Sequence, residues 1–432
     1  MSTPQNTFLG VALSDGVRRH NLAAYMYIAL VSSGYAGLLA MLEPGLLQVL
    51  EVPFEEQGLI TGNLRVMQEI VYIALMGVFG VWADRIGRRP IYVAGLLCIT
   101  FGYAIYPFAT SLEQLVVYRL IIAVGGAAMM GMMITIISDY TRNETRGKAN
   151  GIQGMMATFG AFIPPLLGFV PKLLVDRGYD ELEALQGAYI AAGAIGLSGA
   201  VVAYFGLAKT VGKQTQAAKE KMTVMLKEGL KAARDPATGL SYGAAFISRG
   251  DLAVTGAFMG LWFVQYGVGE LGMSFSDAMS TLSAPRVFTT VFGALVGALL
   301  MGYISDKISK VAAVSLASGL AAVVYLAIFF VDDPTADWVW GLMFMMGIAE
   351  ISAFVSSQAL VGQQAPEKRR GAVIGFFGTA GAIGILVGSG GGGWLFKHYG
   401  PASPFILFGV LNLAVFIWSL KVGKLYKGSN QN

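Results

Sequence analysis

The chain has 432 residues, 55% of them hydrophobic and only 13% charged. Soluble globular proteins carry about 25% charged residues, so a string of soluble domains is excluded and a membrane protein is indicated. The formal net charge of +4 is not gathered into a basic patch, so no nucleic acid is expected as a partner.

The first twenty residues are polar and include Asp15, Arg18 and Arg19. They lack the short apolar core and small-residue cleavage site of a signal peptide, so the first apolar run reads as a true membrane helix. Twelve apolar runs follow, most of them near the 20 residues needed to cross a hydrocarbon core of about 30 Å. They cover 22–46, 58–82, 91–110, 113–137, 150–172, 186–208, 240–266, 280–303, 311–330, 338–361, 371–396 and 403–420. Cys98, the single cysteine, lies in span 3 and excludes an internal disulfide. No metal-ligand spacing, nucleotide-binding loop or nucleophile–base arrangement is present, so no cofactor, metal or enzymatic activity is expected.

Placing the N-terminus inside puts 23 of the 30 Lys and Arg residues in cytoplasmic segments, 4 in spans and 3, Lys172, Arg177 and Lys397, in external loops. That positive-inside bias predicts a multi-pass protein of the cell (bacterial inner) membrane with both termini cytoplasmic. The polar stretch 209–236 carries Lys213, Lys219, Lys221, Lys227, Lys231 and Arg234. Met222, Met225, Leu226, Leu230 and Ala233 share one helical face in it. The pattern suggests an amphipathic helix on the inner leaflet, or a linker of helical tendency. Three segments are expected: a six-helix bundle over 1–208, this central loop over 209–236, and a second bundle over 237–432.

The two bundles repeat. Gly80-Val-Trp-Ala-Asp84-Arg85 recurs 222 residues on as Gly302-Tyr-Ile-Ser-Asp306-Lys307. Arg146-Gly147 recurs 224 residues on as Arg370-Gly371, and Gly151, Gly154, Gly160 and Gly168 recur at the same offset. A parallel repeat of this kind implies two pseudo-symmetric halves with a cavity between them.

The loop "GVWADRIGRRP" (80–90), between spans 2 and 3, resembles the signature Gly-x-x-x-Asp-Arg-x-Gly-Arg-Arg of the major facilitator superfamily. The resemblance covers the whole chain and implies an all-α membrane fold of two six-helix bundles. It implies a gating role for Gly80, Asp84, Arg85, Gly87, Arg88, Asp139, Arg146 and Asp306, with Asp84 docking on helix 11 and Arg88 pairing with Asp139. Gly151-x8-Gly160-x3-Pro164-Pro165-x2-Gly168 in span 5 is similar to the family's antiporter motif, with Pro164 and Phe169 where that motif has glycine.

Charge inside the spans is costly, roughly 2.5–3.5 kcal/mol per group on insertion scales, and marks function by default. Arg65, Glu69, Arg119, Arg249, Asp251, Arg286 and Glu350 all fall on helices 2, 4, 7, 8 and 10. The resemblance places those beside the cavity and leaves helices 3, 6, 9 and 12 facing lipid. Glu69, Asp251 and Glu350 are the proton-coupling candidates. Arg65, Arg119, Arg249 and Arg286, with Tyr35 and Asn63, are the substrate-binding candidates, since guanidinium forks suit carboxylate or phosphate groups. Arg65 and Glu69 stand four apart on one helix face. Arg249 with Glu350 and Asp251 with Arg286 are the expected cross-helix pairs, unless Gly250 unwinds its helix. The alternative is a set of structural ion pairs.

These features predict a monomeric secondary active transporter that moves a small, anionic organic solute by alternating access, coupled to protons, with lipid as its surroundings. The alternatives are a proton-coupled multidrug exporter and a non-transporting receptor or scaffold on the same fold.

Overall fold

A computed structural model describes residues 6–209, 222–366 and 369–429. Among the described residues twelve helices are long and apolar enough to span a membrane: α1 (Arg19–Val49), α2 (Phe54–Ile86), α3 (Arg88–Phe108), α4 (Leu112–Tyr140), α5 (Asn143–Val175), α6 (Glu181–Gly206), α7 (Pro236–Gly269), α8 (Phe275–Lys307), α9 (Lys310–Phe330), α10 (Asp337–Gln364), α11 (Arg370–Tyr399) and α12 (Ser403–Leu425). Each predicted span falls on one of them. Most of the helices outrun the apolar runs at one or both ends, because polar residues at the interface continue the same backbone hydrogen bonding.

Local chemistry sets the ends. Ser111, Asp180, Asp235, Ser274 and Ser309 cap α4, α6, α7, α8 and α9 by accepting from amides of the first turn, which satisfies donors that a helix start leaves open. Gly87 separates α2 from α3 at φ +103°, a backbone region that side chains with a Cβ avoid. α5 is irregular around Pro164, Pro165 and Pro171, as prolines that cannot donate require. Wider π-helical turns interrupt α7 at Thr255–Met259, α8 at Met279–Ser283 and α11 at Val387–Gly391. α7 stays regular through Gly250, and its π-helical turn begins at Thr255.

Two features were not predicted. A hairpin of β1 (Thr7–Phe8) and β2 (Val11–Ala12) precedes α1. It docks on the α4–α5 connection: the Ala12 amide donates to Thr145 Oγ1 at 2.9 Å and Arg142 pairs with Asp15 at 2.9 Å. The amphipathic connector helix Met222–Ala232 packs on α11, with Gly229 against Phe376, and Arg369 reaches Glu228 at 3.2 Å. Part of its apolar face is therefore spent on protein, where the sequence suggested lipid. Lys213, Lys219 and Lys221 lie outside the described residues.

The chain divides into two compact units that cut across the repeat. Unit 1 is Met1–Val52, Met67–Ala217 and Gly272–Ala284; unit 2 is Pro53–Val66, Ala218–Leu271 and Pro285–Asn432. Each unit thus holds the first turns of a helix from the other repeat. In unit 2 the start of α2 packs on α7 and α11. Gln265 donates to the Phe54 carbonyl and to Gln57, both at 2.9 Å, and a Cβ at Gly62 would lie 2.4 Å from the Ser389 carbonyl. Only glycine permits that approach. In unit 1 the start of α8 packs on α1, α5 and α6, with the Ser276 hydroxyl donating to Glu181 at 2.8 Å. Within the units, α3 packs between α4 and α6, and α9 between α10 and α12.

Candidate functional site

Charges inside the spans collect differently in the two units. In unit 1, Arg119 of α4 is 2% exposed and is ion-paired with Glu43 of α1, itself 2% exposed. Its Nε donates to Gln68 at 2.8 Å, and Tyr106 donates to the same Glu43 carboxylate at 2.8 Å. Glu43 was missed although it lies inside the run 22–46: it stands near the run's end, beside Pro44, and reads as interfacial, yet α1 continues to Val49. Arg119 is thereby compensated by a neighbour and two further polar groups. The ion pair ties α4 to α1 inside the unit.

In unit 2 two buried acids lie near enough to interact electrostatically. Asp251 of α7 has no solvent exposure and accepts from Asn412 Nδ2 of α12 at 3.0 Å on both carboxylate oxygens. Glu350 of α10 is 6% exposed and acts electrostatically on Asp251. The hydroxyls of Thr255 and Tyr325, 2.9 Å apart, are the polar groups facing Glu350. Glu350 Oε2 is buried without a hydrogen-bond partner. Among the described residues neither carboxylate pairs with a lysine or arginine. The expected links Asp251–Arg286 and Glu350–Arg249 are therefore not formed. A helix turn rotates residues two apart to different sides: Asp251 turns to α12, while Arg249 lies over the Phe354 ring at 5.1 Å. Arg286 is sandwiched between Phe263 at 5.1 Å and Trp340 at 4.7 Å.

A small void of about 10 Å³ adjoins this cluster, lined by Asn412, Ser318, Ser356, Ala244, Ala353 and Val415 among others. It is about the size of one water molecule, too small for an organic solute. Asn412 and Tyr325 were not anticipated: the resemblance assigned α9 and α12 to lipid. Those helices do show apolar faces outward, such as Val323 and Trp418. Their inward faces carry the partners of the acids.

The remaining candidates scatter. Arg65 is half-buried in unit 2, its guanidinium against Gly256 of α7, and Glu69 is half-buried in unit 1. Asn63 is exposed on α2. The Tyr35 hydroxyl donates to the Ala192 carbonyl of α6 at 2.6 Å, and its ring packs on Tyr103.

The signature loop forms the Arg88–Asp139 pair that the resemblance implied. Arg88 bridges Asp84 at 2.5 Å and Asp139 at 2.9 Å, tying the ends of α2 and α4 to the start of α3. Arg85 is exposed beside it, and Gly80 has open space where a side chain would go. Arg146 reaches the Ser138 carbonyl at 3.5 Å. In the second copy Asp306 holds Lys310 at 3.4 Å on an exposed surface.

The family model for the Major Facilitator Superfamily matches residues 24–389 and 241–430. This chain belongs to that superfamily. Its twelve-helix fold and relatives make it a membrane transporter and a multi-pass integral membrane protein, not an enzyme. It is 27% identical to the magnetosome protein MamH of Paramagnetospirillum magneticum over 94% of this chain and 93% of that one. It is 25% identical to the magnetosome protein MamZ of Magnetospirillum gryphiswaldense over 90% of this chain, spanning 60% of that longer protein. A crystal structure of a point mutant of the nucleoside transporter NupG superposes with a TM-score of 0.73 over 93% of this chain and 99% of NupG at 14% identity. That likeness concerns the fold alone.

Proposed function

We propose that this superfamily member is a proton-coupled secondary transporter of a small, anionic organic solute, and that Asp251 and Glu350 carry the proton. The observation that supports this most is a pair of buried carboxyl groups with no basic partner among the described residues. A second buried negative charge beside the first costs several kcal/mol. A proton removes that cost, so binding and release of a proton toggles the local charge of the helix 7–10–12 region. Asn412 holds Asp251 in place, and the Thr255 and Tyr325 hydroxyls offer Glu350 donors and acceptors.

Solute recognition is proposed for Arg249 and Arg286, with Arg65. The two guanidiniums lying on aromatic rings are held by their faces, a contact that fixes the plane in which a fork can meet a carboxylate or phosphate. Two supports for alternating access are the sequence repeat and the Asp84–Arg88–Asp139 tie at what the charge bias reads as the cytoplasmic side. A second reading, export in exchange for protons, rests on the glycine–proline pattern of α5.

The test is transport by the purified chain in proteoliposomes, with solutes first selected by thermal-shift screening of anions, cations and neutral compounds. A pH gradient is expected to drive the selected anion, and its direction decides between uptake and export. Asp251→Asn and Glu350→Gln are expected to lose gradient-driven accumulation while solute exchange continues. Stabilisation by cations or neutral compounds alone contradicts the anionic substrate. Full gradient-driven transport by both variants contradicts the proton site.

A further inference from the structure

We infer that two repeat-related lysine–carboxylate pairs form an electrostatic lock at the outer ends of the helices. Lys397 meets Glu56 at 2.5 Å in unit 2, and Lys172 meets Asp277 at 3.1 Å in unit 1. Each joins the first turn of one repeat's second helix to the last turn of the other repeat's fifth helix. The correspondence follows the duplication: Glu56 and Asp277 are 221 residues apart, and Lys172 and Lys397 are 225 apart. Those offsets lie within a residue of the ones relating the signature loops and the glycines of α5 and α11.

The chemistry suits a lock that opens. Carboxylates sit at helix starts and lysines at helix ends, so each charge also complements the helix that carries it. All four side chains are between 28% and 41% exposed, so each pair is weak and screened by salt. The pairs differ in strength. Lys172 also holds Asp176 on its own helix at 2.6 Å, so it keeps a partner when Asp277 leaves. Lys397 has Glu56 as its acidic partner among the described residues. Only three bases lie in the segments read as external, Lys172, Arg177 and Lys397, and two of them are used here. The lock rests on the alternating-access reading: these contacts must break for α2 to leave α11 and α8 to leave α5 at the outer end.

The experiment uses the full chain with Cys98→Ala and Ser389→Cys. Ser389 is fully buried on α11, eight residues or ~12 Å inward of Lys397. A membrane-impermeant maleimide added outside reaches that position only when the outer ends part. Lys397→Glu is expected to speed labelling about three- to fivefold, and Lys172→Glu less. The swap Glu56→Lys with Lys397→Glu is expected to restore the native rate. For a reversal that fails to fold, salt is the second measure: about 1 M salt shortens screening to ~3 Å and is expected to speed labelling of the parent but not of Lys397→Gln/Lys172→Gln. Labelling that ignores charge reversal, swap and salt overturns the lock alone. A Ser389→Cys chain that is never labelled on any background overturns the lock together with alternating access.

Discussion

The two units solve the same problem, charge in an apolar interior, in opposite ways. Unit 1 buries an arginine and neutralises it at once: Arg119 has Glu43, with Gln68 and Tyr106 as further hydrogen-bonding neighbours. Unit 2 buries two acids together and gives them an amide and two hydroxyls, with no base among the described residues. A compensated pair has no reason to change its protonation, and separating it is expensive. An uncompensated pair of acids relies on a proton. The difference is what the proposed proton site rests on: intramembrane charge occurs in both units, and only in unit 2 is it left for a mobile species to balance.

Mutation sharpens the contrast, beginning where the effect is largest. Arg119→Met strands the buried Glu43 charge and is expected to destabilise the chain by about 3–5 kcal/mol, read as loss of the folded protein or a strongly lowered Tm in detergent. Adding Glu43→Leu to Arg119→Met removes the stranded charge and is expected to recover most of that loss. Asp251→Asn replaces a carboxyl by a group of similar shape and is expected to leave Tm near the parent value. If Arg119→Met is as harmless as Asp251→Asn, the distinction between the units fails.

A smaller effect is expected at Asn412. Asn412→Leu removes the donor from both oxygens of Asp251 and should cost about 1–3 kcal/mol. The same change tests whether α12 is only scaffold: a lipid-facing helix would accept leucine at no cost. Arg88→Ala frees Asp84 and Asp139 at a partly exposed site and should cost about 1 kcal/mol, with the larger consequence in transport rate. Smallest is the connector helix. Lys231, hydrogen-bonded at 2.8 Å, holds the Glu228 carboxyl below its usual range, with Arg369 adding to it. A lowered folded value means that the tie is complete above the ordinary carboxylate pKa of about 4.3 and weakens only as pH falls through the lower value. The hydrogen-exchange protection factors of residues 226–232 should therefore be flat from neutral pH to about pH 5, the range over which an ordinary carboxylate stays mostly ionised; protection lost near neutral pH contradicts the tie.

Much of the fold was legible because lipid imposes it. Span length, loop charge and the 222-residue repeat of Gly80–Arg85 all follow from the bilayer and from duplication. The Arg88–Asp139 pair was also readable, carried by a motif with fixed local geometry. Pairing inside the bundle was not. Asp251 and Arg286 have opposite charges at nearby depths, which suggested a link, yet depth does not determine which way a side chain faces. Helical phase turns Asp251 toward Asn412 and Arg286 between two rings. Glu43 escaped although it lies inside the run 22–46: a charge near a run's end reads as interfacial, while the helix runs on to Val49. Asn412, a lone amide in an apolar helix, was the one signal in the sequence that α12 has a polar task. The exchange of first turns between repeats had no signal in either sequence half: it depends on contacts such as Gly62 on Ser389 that only the folded chain reveals.

The central claim is that the Asp251–Glu350 pair holds a proton. Infrared spectroscopy of the chain in proteoliposomes at neutral pH tests it without knowledge of the solute, since a protonated carboxyl group has a carbonyl band distinct from that of a carboxylate. The account predicts such a band in the parent chain and its loss in the Asp251→Asn/Glu350→Gln double variant. A band that survives in the double variant, or a parent chain with none, contradicts it.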